Sequence, residues 1–223
     1  MYVSEYIEFL VNGEIQQLAI TDVGDMDPNA AVAPTETQLK NQDKLRTYIN
    51  LANIELHKKF DIIQKEMELD NAIAGEEYRL PDDFLHAINV TYTDGDEVAI
   101  NNTKKHIVDG VDQLVSVLLT DPSKAIVKGT DSEGRVSMLL TYAASPALAK
   151  SVNIKLYLSP TYTEALLNYA AYKAHASVSG DMKAENNTYY LRFRESCKQI
   201  QLLGLTNPDN LDSNTKLVDN GFV

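Results

Sequence analysis

The chain has 223 residues, enough to bury a core of its own, with 32 Asp and Glu against 20 Lys and Arg, a formal net charge of −12 and a pI near 4.7. That balance excludes a nonspecific grip on nucleic-acid phosphates, which takes clustered Lys and Arg. The single cysteine, Cys197, excludes an intrachain disulfide and a Cys-based zinc site, which suggests folding in a reducing compartment with Cys197 as a packing residue in a helix.

The opening stretch MYVSEYIEFLVNGEIQQ gains glutamates at once and has neither a basic n-region nor a small-residue cleavage site, so it is not read as a secretory signal. No apolar run approaches the roughly 20 residues that span a bilayer, so no membrane partner is expected. The N-x-T triplets at Asn89, Asn101 and Asn186 are then chance matches to a glycosylation signal. From Ser4 to about Thr21, Ile7, Leu10, Val11, Ile15 and Leu18 fall at helical spacing and predict one helix, or two short ones around Gly13.

GDMDPNAAVAP, Gly24 to Pro34, has turn formers and no apolar period and reads as a linker. Its Asp25 and Asp27 resemble half a cation site, but without a further ligand nearby they read as a solvated loop. Thr35 and Gln38 have capping-box spacing, and Leu45, Ile49, Ala52, Leu56 and Phe60 form one stripe of a long second helix.

From Ile62 the period changes to alternation, with Ile63, Lys65, Met67 and Leu69 opposite Gln64, Glu66 and Glu68. AGEEY then supplies a turn, and the simplest reading is a β-hairpin ending at Pro81. HAINVTY, EVAI, KAIVKG and RVSMLLTYAA continue as short strands separated by TDGD and DSEG turns, while LVSVLLTDP suits either strand or helix. Together they predict a small, mostly antiparallel β-rich lobe over about 62–158.

Helix returns after LYLSP, where Ser159 can cap with Pro160 at the first helical position or Thr161 and Glu164 can form a capping box. Leu167, Ala171, Ala174 and Val178 line one face, and Ser179 to Asp181 end the helix. A last helix carries Met182, Tyr189, Phe193, Cys197 and Ile200 on one stripe and stops at Gly204. The expected class is therefore α+β: a bundle of three to four helices, from 1–61 and 159–204, with the lobe inserted at 62–158 and a polar tail at 205–223.

No P-loop, G-x-G-x-x-G, G-x-S-x-G, H-E-x-x-H or EF-hand pattern occurs, so no cofactor or metal ion is expected and no nucleophile stands beside its base. Asp82, Asp83 and His86 are the best candidates for chemistry, because paired carboxylates perturb each other and a histidine can carry protons; a hydrolase built on them is one alternative function. The plainer reading makes them a corner, in which Pro81 fixes the backbone and the aspartates cap a turn that delivers Phe84 and Leu85 to the core.

Twelve tyrosines and no tryptophan occur, and Tyr162, Tyr169, Tyr172, Tyr189 and Tyr190 cluster in the last two helices, where they suit either the core or an interface. A monomeric interaction module using those helices is a second alternative. Arg192, Arg194 and Lys198 add positive charge to the outer face of the final helix, as a dock for an acidic partner or as complements to the helix dipole.

Three segments in this order, YINLANIEL, EYRLPDDFLHAINV and LYLSPTYTEALLNYAAYKAHA, resemble the head-to-tail adaptor proteins of short-tailed bacteriophages. The second is similar to that family's Tyr-x-Leu-Pro-x-Asp-Phe-Leu entry into a strand, and the third to its strand, proline and Ala/Tyr-rich helix. Between about Thr103 and Lys150 the chain departs from the family's strand-and-proline spacing, so the lobe and its contact can differ.

The resemblance implies a non-catalytic virion protein of the tail or neck, assembled in the host cytoplasm. It forms a homo-oligomeric ring, usually dodecameric, between the portal protein and the next tail component, a nozzle or tail tube. Double-stranded DNA passes through the channel without specific binding, and an acidic wall lets it slide. On this reading Leu205, Asn207, Leu211, Lys216, Leu217 and Phe222 in the tail are candidate portal contacts, and Tyr162, Tyr169, Tyr172, Arg192 and Arg194 candidate subunit contacts.

Overall fold

A computed structural model of the chain describes residues 1–93, 95–101, 107–108, 111–112, 116–121, 123–128, 135–179 and 187–203. The fold is α+β, and the chain divides into two compact units: Met1–Phe60 with Ala147–Val223, which is helical, and Asp61–Pro146, which is built of strands.

In the helical unit, α1 (Val3–Asn12) buries Val3, Tyr6, Ile7 and Leu10, the i, i+3, i+4, i+7 set that one helical face presents. Its first turn is closed by Glu5, whose carboxylate accepts the Tyr2 N–H at 2.5 Å. The helix predicted to run on toward Thr21 stops at Gly13, because the Leu10 carbonyl is taken by the N–H groups of Gly13 and Ile15. A Cβ at Gly13 would lie 2.9 Å from the Phe9 carbonyl oxygen. Ile15 is still buried and Leu18 partly so; their spacing reported nearness to the core and not helix.

The α2 helix (Glu36–Phe60) has its capping box made: the Thr35 N–H donates to Gln38 Oε1 at 2.8 Å, and the Gln38 N–H donates to Thr35 Oγ1 at 3.3 Å. Leu45, Ile49, Ala52, Leu56 and Phe60 are all buried. The preceding segment is pinned to α2, since Asn41 and Gln42 donate their amides to the carbonyls of Asp22 and Val23. Asp61, just past the last turn, takes the left-handed conformation (φ 48°) that a short polar side chain tolerates.

Residues 147–158, read from the sequence as the end of the β-rich lobe, hydrogen-bond instead to the helical unit. Asn50 exchanges bonds with both backbone groups of Ala149, and Arg46 donates to the Lys150 carbonyl. Val3 and Ser4 donate to the carbonyls of Ile154 and Val152. A 3-10 turn (Pro160–Tyr162) with Ser159 at its N-cap and proline at its start leads into α3 (Thr163–Ser179).

The single stripe predicted for α3 is replaced by a wider buried surface. Ala165, Leu166, Asn168, Tyr169, Ala170, Ala171 and Ala174 are buried while Leu167 is half-exposed, because α3 packs on both α2 and α4. Asn187 caps α4 (Thr188–Leu202), accepting the N–H groups of Tyr189 and Tyr190, and Phe193, Ser196, Cys197 and Ile200 face inward. Cys197 is free and buried, and burial pushes its thiol up to about 11, away from reactivity. Met182 and Gly204 lie outside the described residues.

In the β unit, β1 (Gln64–Ile73), β9 (Arg135–Ala144) and β3 (Phe84–Tyr92) form an antiparallel sheet with β9 in the middle. A second sheet has the order β2 (Glu77–Arg79), β8 (Lys124–Lys128), β7 (Ser116–Asp121), β4 (Ala99–Ile100). The strands β5 (Ile107–Val108) and β6 (Val111–Asp112) pair with each other and, among the described residues, with no other strand.

The single small sheet predicted here is therefore two sheets and a ladder, and β4 runs parallel to β7. The predicted hairpin across AGEEY is not one. The turn exists, with Gly75 at φ 86°, but its two flanks enter different sheets. A register shift between Leu69 and Ala72, with Asn71 at φ 51°, breaks β1 before that turn, and Gly75 donates its N–H to Val127 of the other sheet. LVSVLLTDP supplies the strand β7, and the DSEG turn lies outside the described residues. Leu69, Leu80, Val90, Val117, Val127 and Leu140 lie at the centre of the apolar core of the unit.

Candidate functional site

Asp82, Asp83 and His86 sit at the entry to β3, where the Phe84 N–H donates to the Pro81 carbonyl and closes a single turn. Each side chain is paired with a different neighbour. Asp82 takes Arg79 Nη2 at 2.7 Å on open surface, and His86 Nε2 meets Asp61 Oδ1 at 2.8 Å. Asp83 accepts Lys65 Nζ at 2.5 Å and the Tyr142 hydroxyl at 3.2 Å, and its carbonyl accepts the Ser145 N–H.

The Lys65 ammonium hydrogen-bonded to Asp83 holds that carboxyl below its ordinary value, so it stays charged where a general acid would have to hold a proton. The aspartates are therefore not capping groups, as the corner reading had them. Asp83 ties the turn to β1 and β9, and Asp82 is a surface residue. Among the described residues no group of three or more His, Cys, Asp or Glu side chains is placed to hold a metal ion.

Aromatic side chains of the helical unit meet in separate groups. The ring of Tyr162 lies 5.3 Å from that of Phe60, and Tyr169 lies 4.9 Å from Phe193 and 5.7 Å from Tyr172, which in turn meets Tyr190 at 5.1 Å. Tyr162 and Tyr169 are buried in the core of their own unit, and desolvation pushes the Tyr169 hydroxyl up to about 12. Tyr172 is half-buried, with the Lys173 ammonium over its ring.

Arg192 and Arg194 are exposed. Arg192 stacks on Tyr189 and reaches Glu14 at 3.5 Å, whereas Arg194 has no partner among the described residues. The tail candidates Leu205, Asn207, Leu211, Lys216, Leu217 and Phe222 lie outside the described residues.

Two surfaces of the helical unit were only partly anticipated by the sequence, which marked Arg192, Arg194 and Lys198 in one and Asp25 and Asp27 in the other. The first is a 460 Å³ groove along α4 lined by Thr188, Leu191, Arg192, Arg194, Glu195 and Lys198, with the Leu191 side chain 48% exposed among the cations. Its signal was Leu191 itself, an apolar residue on the polar face. The second is a 450 Å³ groove in which Tyr2, Met26 and Pro28 lie beside Glu8, Asp25 and Asp27. Asp25 and Asp27 accept the N–H groups of Asp27 and Asn29, so the linker folds into consecutive aspartate turns that present their charge outward.

No apolar helix among the described residues is long enough to cross a membrane. No curated protein matches the chain. The family model described as SU10 adaptor protein matches residues 13–212, which takes in the whole β unit and every helix after α1. The chain thus belongs to the SU10 adaptor protein family, a family of phage adaptors.

Proposed function

We propose that this protein is a ring-forming head-to-tail adaptor that docks on the portal protein and extends the DNA channel toward the next tail component, a nozzle or tail tube. Membership of a phage adaptor family makes it a structural virion protein, and the match over residues 13–212 is the observation that carries the reading. On this reading the ring is dodecameric and double-stranded DNA passes through it without specific binding.

Several physical features support it. A helical bundle interrupted by a β-rich lobe offers separate surfaces for neighbours in a ring and for components above and below. The net charge of −12 suits a channel wall that repels phosphate. Tyr172, Arg192 and Arg194 have exposed surface from which subunit contacts can be made, and residues 205–223 supply a polar segment suited to ordering on the portal. Purified protein, alone and mixed with its cognate portal, should give closed rings by negative-stain imaging. A chain that stays monomeric and ignores the portal, with no ring in virions, would overturn the proposal.

A further inference from the structure

We propose that the exposed face of α4 is one half of a head-to-tail contact between copies of this chain, and that it seats in the groove formed by Tyr2, Glu8 and residues 25–28 of the next copy. The inference rests on the ring reading and specifies which surfaces meet.

The α4 helix spends Phe193, Cys197 and Ile200 on its own unit and turns Leu191, Arg192, Arg194, Glu195 and Lys198 outward. Three cations to one carboxylate on a chain of net charge −12 is a local inversion of sign. It is only partly used inside the molecule: Arg192 reaches Glu14 at 3.5 Å, but Lys198 reaches Glu195 only at 3.7 Å and Arg194 meets no carboxylate among the described residues. Arginine around a half-exposed leucine is also what the centre of a protein interface favours.

The opposite surface occurs in the same unit. Glu8 has no ion-pair partner among the described residues, and Asp25 and Asp27 are engaged only by backbone N–H groups, so three negative charges stand without a cation. Met26, Pro28 and the ring of Tyr2 give this groove the apolar floor that Leu191 and the arginine stems require. The two grooves have nearly the same volume, 460 and 450 Å³, and share no residue.

A self-complementary pairing of two α4 faces would set cations against cations. Pairing unlike surfaces neutralises both, and a contact between two different patches is heterologous, the kind that propagates around a ring.

The test uses charge reversal in the full-length chain, with the cognate portal present if the wild type needs it to assemble. R194E/K198E and E8K/D25K should each weaken self-association by at least about 100-fold, read by analytical ultracentrifugation and native mass spectrometry. Mixed together, the two variants should co-assemble into an oligomer of alternating copies, since the two intact halves pair with each other and so do the two reversed halves. The four substitutions in one chain should restore the wild-type oligomer. Circular dichroism melts verify folding, and if either reversal fails to fold, R194Q/K198Q and E8Q/D25N should show a smaller weakening of the same kind.

Variants that assemble like an assembling wild type would overturn this contact and leave the ring reading standing. The same holds if the mixture does not co-assemble while each folded variant is monomeric. A wild type that never assembles removes the ring reading and the contact together.

Discussion

The two units solve the problem of burial differently. The β unit keeps its core apolar: Ser116 is its one buried polar side chain among the described residues, and charged pairs such as Lys65–Asp83, Arg79–Asp82 and Lys124–Glu77 lie toward the surface. The helical unit buries Asn41, Gln42, Asn53, His57, Asn168, Asn187 and Ser196. Some of these do structural work, as when Asn41 and Gln42 hold the linker and Asn187 caps α4. Two carry a cost: Asn53 Oδ1 and His57 Nε2 are buried with no hydrogen-bond partner among the described residues. One unit is thus held by nonpolar contact between sheets, and the other spends stability on polar groups that fix particular segments in place.

Truncating the core is the strongest way to break that comparison. Leu56→Ala in α2 and Leu140→Ala in β9 each remove a side chain with no exposed surface, and each should cost ~2–5 kcal/mol. Hydrogen exchange should then show protection falling mainly in the unit that carries the substitution. Equal loss across both would mean that they unfold together, and the contrast between their cores would have no separate thermodynamic meaning.

Acid should separate the units more finely. Burial lowers the His57 pKa below its ordinary 6.5, with the hydrogen bond between Nδ1 and the Asn53 carbonyl opposing the shift only in part. As the pH falls below 6.5, the unfolded chain takes up a proton that the folded chain resists, so stability falls by up to ~1.4 kcal/mol per pH unit until the lowered folded value is reached. Wild type should therefore lose stability as the pH falls below 6.5, read by chemical denaturation, and His57→Leu should lose less. Identical slopes would show that His57 is not the group being titrated.

The same contrast explains what the sequence made legible. The start of α2 and its buried stripe follow from contacts three and four residues apart, so Thr35, Gln38 and the run from Leu45 to Phe60 announce them locally. The apolar stripe of α3 was harder to place, because a helix packed on two neighbours has two inward faces and a one-stripe reading picks between them. In the β unit the decisive pairings are long-range: Gln64 lies opposite Ala143, and Glu77 opposite Ile126. Alternation gave away the strands, but nothing near Gly75 says that β1 and β2 belong to different sheets. The charged groove along α4 was half-legible, since Arg192 and Arg194 stand out in the sequence while Glu8, Asp25 and Asp27 become one surface only when α1 and the linker fold together.

The smallest effect concerns the two adjacent aspartates of the Pro81 corner, which are indistinguishable by type and opposite in role. Asp82 and Arg79 are both largely exposed, and a pair of that kind is screened by solvent, so Asp82→Ala should leave the melting temperature unchanged. Asp83 also accepts the hydroxyl of Tyr142, a residue buried on the central strand of its sheet, so Asp83→Ala strands a donor and should cost about 1 kcal/mol. The Asp83 carboxyl is held below its ordinary 3.8, chiefly by its hydrogen bond from Lys65; its contribution is therefore full above that value and is lost as the pH falls through the lower folded one. The gap between the two variants should accordingly be constant from pH 7 to about 5 and close only in strong acid. Equal melting temperatures at neutral pH would make both residues surface decoration and return the corner to Pro81 and Phe84 alone.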